Sequence, residues 1–214
     1  MKLHALKGGA SREGTFFHIV PLDGARSGKP IGRMSPKSKL SKRGPAVFFD
    51  RDGVINKVIL RDDKPFSPRK LEEFIFNDGI QDTVSRLKGN GYKTIVISNQ
   101  PDLARGHITQ ETLDLMMQSV KQEISFDDVF ICPHDDHDQC ACRKPKPGMI
   151  LEAAKKWKID LRASYVIGDT WKDMEAGKTA GCTTILLDAV YNKNVPSDIR
   201  LKSLAEAAAV ILAL

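Results

Sequence analysis

Pro45-Ala46-Val47-Phe48-Phe49-Asp50-Arg51-Asp52-Gly53-Val54 is the stretch on which the reading of this chain turns. Four apolar residues, Ala46–Phe49, stop at two acids spaced one residue apart, and a glycine follows. An apolar run without polar alternation suits a strand buried on both faces, as in parallel sheets. The end of such a strand holds Asp50 rigidly, and Gly53 lets the chain turn sharply behind it.

The pattern recurs downstream. Residues 94–97 form an apolar run that ends at Ser98, 129–131 form a third, 165–167 end at Gly168-Asp169, and Thr183–Leu187 forms a fifth. Helical spacings lie between them: Ile80, Val84 and Leu87 before Gly91; Leu113, Met116, Met117 and Val120 behind Thr109 as N-cap; residues 150–157; and a helix that stops at Gly181. Ser203 with Glu206 predicts a capping box on a short final helix. Strands alternating with helices predict an α/β fold, a Rossmann-like doubly wound parallel sheet with helices on both faces. Such sheets bind ligands at the carboxyl ends of their strands. Asp50, Ser98 and Asp169 each end a strand, so they point to one shared site.

The 214 residues suffice for one well-filled core, and 41% hydrophobic with 28% charged residues is ordinary globular composition. The absence of a run of about 18 apolar residues, or of a secretory signal, predicts a cytoplasmic protein without a membrane partner. The net charge of +6 is unevenly spread: residues 1–44 hold ten Lys or Arg against Glu13 and Asp23, a local +8 that leaves the remainder at −2. Residues 1–44, with one candidate strand at 15–21, therefore read as a basic, flexible extension, and 45–214 as the working domain. Nucleic acid is not an expected partner, because the body is not basic; a monomer is expected.

The acids carry the chemistry. An oriented, partly desolvated carboxylate such as Asp50 is a competent nucleophile. Attack on phosphorus calls for magnesium, which takes oxygen ligands, and Asp169 and Asp173 add two carboxylates at the opening of a helix. Ser98-Asn99-Gln100 offers a hydroxyl and helix-start amides for phosphate oxygens, and Lys144 a point charge. Taken singly these are commonplace, since an Asp-x-Asp pair is usually a solvated turn. All of them in this order, each at a strand end, are not.

Cys132, His134, Cys140 and Cys142 form C-x-H-x5-C-x-C. Three thiolates and an imidazole complete a tetrahedral zinc site with no open position, which predicts a structural ion. That ion would hold the loop that runs directly into Arg143 and Lys144. His137 is expected to be solvated, and Cys182 to be a packing residue.

The set Asp50-Arg51-Asp52-Gly53-Val54, Ser98-Asn99-Gln100, Lys144 and Gly168-Asp169-Thr170-Trp171-Lys172-Asp173 resembles the haloacid dehalogenase superfamily of phosphatases, over about residues 45–190. The resemblance implies that Asp50 is phosphorylated. Asp52 would protonate the leaving oxygen, then activate water, and lend its carbonyl to magnesium. Asp169 would bind magnesium directly, Asp173 would support it, and Ser98 and Lys144 would hold the phosphoryl group. The cysteine loop followed by Arg143-Lys144-Pro145 resembles the zinc-containing branch. That branch implies a small phosphate monoester as partner, first a sugar bisphosphate such as D-glycero-D-manno-heptose 1,7-bisphosphate losing its 7-phosphate. Histidinol phosphate is the next reading, then a nucleic-acid 3′-phosphate, then an inactive scaffold. Pro101-Asp102 departs from the branch pattern of a small residue and glycine. Between Asp52 and Ser98 there is room for a flap and one helix but not for a cap domain. Specificity then falls to residues 57–66, with Lys57, Arg61 and Lys64, to residues 100–105, and to Arg143 as partner of a second anionic group.

Overall fold

The computed structural model describes residues 43–214. The extension read from the sequence, with its candidate strand, lies outside them apart from Arg43 and Gly44. Gly44 already belongs to the domain, bridging to Ile159 and accepting a hydrogen bond from Asp160 N at 2.8 Å.

The chain runs β1 (Ala46–Phe49), β2 (Ile59–Arg61), β3 (Lys64–Phe66), α1 (Ile80–Gly89), β4 (Lys93–Asn99) and α2 (Pro101–Ala104). It continues through α3 (Gln110–Glu123), β5 (Asp128–Cys132), α4 (Gly148–Trp157), β6 (Tyr165–Gly168), α5 (Trp171–Ala180), β7 (Thr183–Leu187), β8 (Ile199–Leu201) and α6 (Leu204–Ala213). Six strands form a parallel sheet in the order β5-β4-β1-β6-β7-β8. β1 is central, so both of its faces are covered. Val47 and Phe49 join one core with Ile80, Val84 and Leu87 of α1, Leu113 and Met116 of α3, and Leu204 and Ile211 of α6. Ala46 and Phe48 join the other with Met149, Ile150 and Ala153 of α4 and Ala176 of α5. The two-residue period of a strand feeds both layers at once, which is the doubly wound arrangement expected.

The strand order reverses between β1 and β6, since β1 is followed in the sheet by β4 on one side and β6 by β7 on the other, so a crevice opens above their carboxyl ends. The flap is the β2–β3 hairpin. Its turn residues Asp62 and Asp63 both have positive φ (50° and 56°), a conformation that matches strand twist and that Asp tolerates. β8 was not expected; three residues long and only half buried, it lacks an apolar run. The capping box at Ser203 is corrected: Ser203 Oγ accepts from Glu206 N (3.2 Å), but the Glu206 carboxylate turns to Lys202 N (2.9 Å). In the middle of the chain Thr109 caps α3 as read, accepting from Thr112 N at 3.1 Å. Among the described residues no helix is long and apolar enough to cross a membrane.

α5 lies directly against the end of β6. A Cβ on Gly168 would stand 2.2 Å from Asp173 Cβ, so no side chain fits there. Gly168→Ala should lower the unfolding free energy by about 1–3 kcal/mol or more, read as a lower urea midpoint; an unchanged midpoint would contradict this packing.

Candidate active site

β1 and β6 run side by side with Phe49 opposite Ile167, so their tips are adjacent. Asp50 N still bonds the Ile167 carbonyl (3.0 Å), which fixes Asp50 to the neighbouring strand. Asp169 follows β6 by one residue. Thr170 is the N-cap of α5, and its amide (3.1 Å) and hydroxyl (2.6 Å) both donate to Asp173 Oδ2. The cap folds Asp173 back over the strand end. Oxygens of Asp50, Asp169 and Asp173 thereby lie within 4.8 Å of one another.

Lys144 enters from the loop after β5. Its ammonium contacts Asp50 Oδ1 (2.7 Å) and Asp173 Oδ1 (2.5 Å) and donates to the Ile97 carbonyl (3.0 Å). The Asn99 side chain pins the Lys144 main chain from both sides, donating to its carbonyl (2.9 Å) and accepting from its amide (3.0 Å). Asn99, expected to face phosphate, is thus occupied in holding Lys144. Gly53 closes the opposite wall: with φ +88°, it is so near Asp169 that an added Cβ would meet Oδ2 at 2.0 Å.

Three buried carboxylates share one ammonium. Burial pushes the Asp50 carboxyl up, the Asp173 charge adds to this, and Lys144 opposes only in part, so its pKa stands at about 7. Burial, then Asp50 and Asp173, raise Asp169 as well. Burial alone would pull Lys144 down, but Asp173 and Asp50 hold it above its ordinary value. Excess negative charge, together with a buried Asp169 Oδ1 that has no hydrogen-bond partner, is a donor set that fits a hard divalent cation.

Asp52 faces a nest of donors. Arg51 grips it through Nε (3.1 Å) and Nη2 (3.0 Å), and Asn56 Nδ2 (3.0 Å), Ser67 Oγ (2.9 Å) and Gln100 Nε2 (2.8 Å) complete the set. Burial would raise this carboxyl, but the Arg51 charge and the hydrogen bonds hold it below its usual range. Gln100 also donates to Ser98 Oγ (2.9 Å), so the Gln100 amide links Ser98 to Asp52.

The cleft above these groups measures about 310 Å³. The flap contributes Val58, Pro65, Phe66 and Ser67, and the rim carries Arg105, Arg143 and Lys172. Arg143 Nε is held by Asp136 (2.7 Å), and Arg105 by Asp135 through Nε (2.8 Å). Lys57, Arg61 and Lys64 are exposed and do not line the cleft; Arg61 lies over the Phe66 ring instead (5.3 Å). Asp102, from the departure noted in the sequence, binds Arg69 Nε (2.7 Å) and His107 Nδ1 (3.2 Å).

Cys132, His134, Cys140 and Cys142 converge. Their Sγ atoms stand 3.1–3.6 Å apart, and His134 Nδ1 is 3.6 Å from Cys132 and 3.3 Å from Cys142. These separations are near the edges of a tetrahedron of zinc ligands at about 2.3 Å. His137 is exposed and outside the cluster, and Cys182 packs in the α4–α5 core, where burial pushes its thiol up to about 12.

Sequence reading missed four groups. Arg51 is fully buried and paired with Asp52, Asn56 and Ser67 bind the same carboxylate, and Tyr191 Oη donates to Asp169 Oδ2 (2.5 Å). Arg51 had a signal, a cation between two acids; Ser67 and Tyr191 are remote from their partners, and Asn56, though four residues from Asp52, carries no mark of residue type that points to it.

A family model described as haloacid dehalogenase-like hydrolase matches residues 58–181. The chain is similar to the D-glycero-beta-D-manno-heptose-1,7-bisphosphate 7-phosphatase of Helicobacter pylori (strain ATCC 700392 / 26695), 39% identical over 148 residues, 66% of this chain and 82% of that one. It is 36% identical to the enzyme of the same name from Salmonella typhi over 160 residues, 69% of this chain and 82% of that one. Among solved structures, D,D-heptose 1,7-bisphosphate phosphatase from B. bronchiseptica, complexed with magnesium and phosphate, superposes with a TM-score of 0.69 at 29% identity, covering 79% of this chain and 98% of that one.

The crowding has a consequence for stability. Folded Asp50 keeps its proton to about pH 7, whereas the unfolded chain loses it near 3.8. The folded state binds more protons in that window, so metal-free protein loses stability as pH rises through it. Asp50→Asn should therefore stabilise the protein in EDTA at pH 8, on the order of 1–3 kcal/mol, and give no gain near pH 4. Urea midpoints at the two pH values read the difference; an equal gain at both would clear Asp50 of the strain.

Proposed function

Because this chain belongs to the haloacid dehalogenase-like hydrolase family, we propose that it is a magnesium-dependent phosphatase that hydrolyses a small phosphate monoester through a phosphorylated Asp50. The substrate favoured is a sugar bisphosphate, D-glycero-D-manno-heptose 1,7-bisphosphate, from which the 7-phosphate is removed. The observation that carries this reading is the buried triad of Asp50, Asp169 and Asp173 around Lys144 at the floor of the cleft.

Asp50 Oδ1 is held by Arg51 N (2.7 Å) and by Lys144 (2.7 Å), which leaves Oδ2 to attack phosphorus. The ester oxygen leaves with a proton from Asp52, and the phosphoryl group stays on Asp50. Asp52, now a carboxylate, takes a proton from water as that water attacks phosphorus, restoring Asp50 and releasing phosphate. Asp50 and Asp169, with Asp173 behind them, would hold magnesium, which when bound would offset the negative charge of the phosphoryl oxygens. Lys144 and Ser98 bind the same oxygens and exclude water from the floor. The donors around Asp52 favour its charged form, so its surroundings suit the base step directly. The acid step needs the carboxyl to leave part of that nest and meet the substrate's own negative charge.

Two features support a bisphosphate. Arg143 and Arg105 stand at the rim, where their carboxylate partners include Asp136 and Asp135 of an exposed turn, and a second phosphate can replace those carboxylates by bidentate contacts. The named relatives are bisphosphate phosphatases. We assign zinc to Cys132, His134, Cys140 and Cys142 as a structural ion, since the protein fills all four positions. Thiols kept free for a metal need a reducing compartment, which supports the cytoplasm.

Turnover of heptose 1,7-bisphosphate, fructose 1,6-bisphosphate, histidinol phosphate and a 3′-phosphorylated oligonucleotide, with magnesium, tests the substrate. The heptose ester should give the highest kcat/KM, and preference for another member would replace the substrate reading. Asp50→Asn should lower turnover at least about a thousandfold; retained activity would refute Asp50 as nucleophile. Elemental analysis should find close to one zinc per chain, lost in Cys142→Ser; wild-type protein without zinc would sink that assignment.

A further inference from the structure

Asp169 treats its two carboxylate oxygens differently. Oδ2 lies against Gly53 and accepts from Tyr191 Oη at 2.5 Å. Oδ1 is buried and has no hydrogen-bond partner. The main-chain carbonyl of Asp169 accepts from Asn192 Nδ2 at 2.8 Å. One short segment behind β7 therefore holds Asp169 twice.

That segment has its own staple. Asn192 Nδ2 also bonds the Leu187 carbonyl (2.8 Å), and its Oδ1 accepts from Ala189 N (3.0 Å). Arg200 of β8 donates to Asp188 Oδ1 (2.6 Å), to Asn192 Oδ1 (3.1 Å), and to the carbonyls of Asn192 (3.0 Å), Lys193 (3.3 Å) and Val195 (2.8 Å). A single guanidinium thus satisfies three main-chain carbonyls of the turn. The strand that sequence reading missed supplies the Arg200 that pins the segment carrying Tyr191.

We propose that Tyr191 is a positioning residue for Asp169: its hydroxyl fixes Oδ2, turns Oδ1 into the space shared with Asp50 and Asp173, and so sets the affinity of the site for its divalent cation. This rests on the magnesium reading above. The physical need is plain. The torsion of a carboxylate about its last bond is soft, and the charges of Asp50 and Asp173 repel Asp169 from the common centre. Gly53 blocks one direction of escape by contact, and the Tyr191 hydrogen bond supplies the restoring force. The phenol has no other part in the reaction. Partners that orient a metal-binding carboxylate typically alter metal affinity ten- to a hundredfold when removed.

The test is magnesium titration by calorimetry on the full chain, without substrate, for wild type and Tyr191→Phe. The variant should bind magnesium about tenfold more weakly, with kcat at saturating magnesium within about twofold of wild type and the melting temperature in EDTA nearly unchanged. Arg200→Ala, which unfastens the segment at a distance, should shift magnesium affinity in the same direction. Equal affinity in wild type and Tyr191→Phe overturns the proposal. So does a large fall in kcat at saturating magnesium, because the hydroxyl would then act on the reacting atoms. A wild type that binds no magnesium refutes the magnesium reading itself and is distinguishable from either.

Discussion

Three carboxylates converge at the tips of two adjacent strands, two of them on one ammonium, and the rest of the site is arranged around that concentration of charge. Burying such a group is unfavourable unless geometry and partners are fixed in advance. The fixing is done by backbone. Asp50 is tied to β6 through its own amide, Asp173 is folded back by the cap of α5, and two glycines remove the side chains that would push the acids apart. Lys144 then serves two carboxylates and a carbonyl with its three protons.

The cysteine cluster belongs to the same device. Cys142 stands two residues before Lys144, and Cys132 ends β5 with its carbonyl bonded to Gln100 N (2.7 Å). Gly148 opens α4 against the Ala141 carbonyl, where an added Cβ would lie at 2.2 Å. Lys146 ties down the carbonyls of Gln139 and Cys140. The loop between Cys132 and Gly148, whose one regular piece is a 3-10 turn at Asp136–Asp138, is thereby given the stiffness of a strand end, which a lysine needs if it is to reach a fixed point in a buried site. Asn99 gives the same stiffness from the sheet side.

The sheet was legible because burial on both faces leaves a simple mark, an unbroken apolar run, and because the polar residue that ends each run is where ligands meet such folds. All five strands so marked are present. β8 and the flap hairpin were not legible as strands: each strand is three residues long and none of its residues is fully buried, so neither needs an apolar run. In the site, the acids and Lys144 could be found because their chemistry is intrinsic to residue type. What Ser98, Asn99 and Gln100 do could not. A side-chain amide is equally suited to phosphate, to a carboxylate or to a peptide group, and the choice between them is made by Lys144 and Asp52, each more than forty residues away. Tyr191 and Arg200 are further cases, since an ordinary tyrosine gains its role from a partner twenty-two positions distant.

The donors around Asp52 connect these layers. They come from the residue beside the nucleophile, from the turn behind Gly53, from the end of the flap and from the tip of β4. One carboxylate thus joins the flap to the sheet as well as standing beside the reacting centre. Each hydrogen bond to an ionised group contributes roughly 1.5–3 kcal/mol, so the set resists both protonation of Asp52 and movement of Ser67. Protonating the carboxyl weakens every one of these bonds together. The proton that the leaving group requires and the freedom of the flap over the cleft are therefore linked through the same atoms, and a change in the charge of Asp52 is felt where substrate is admitted.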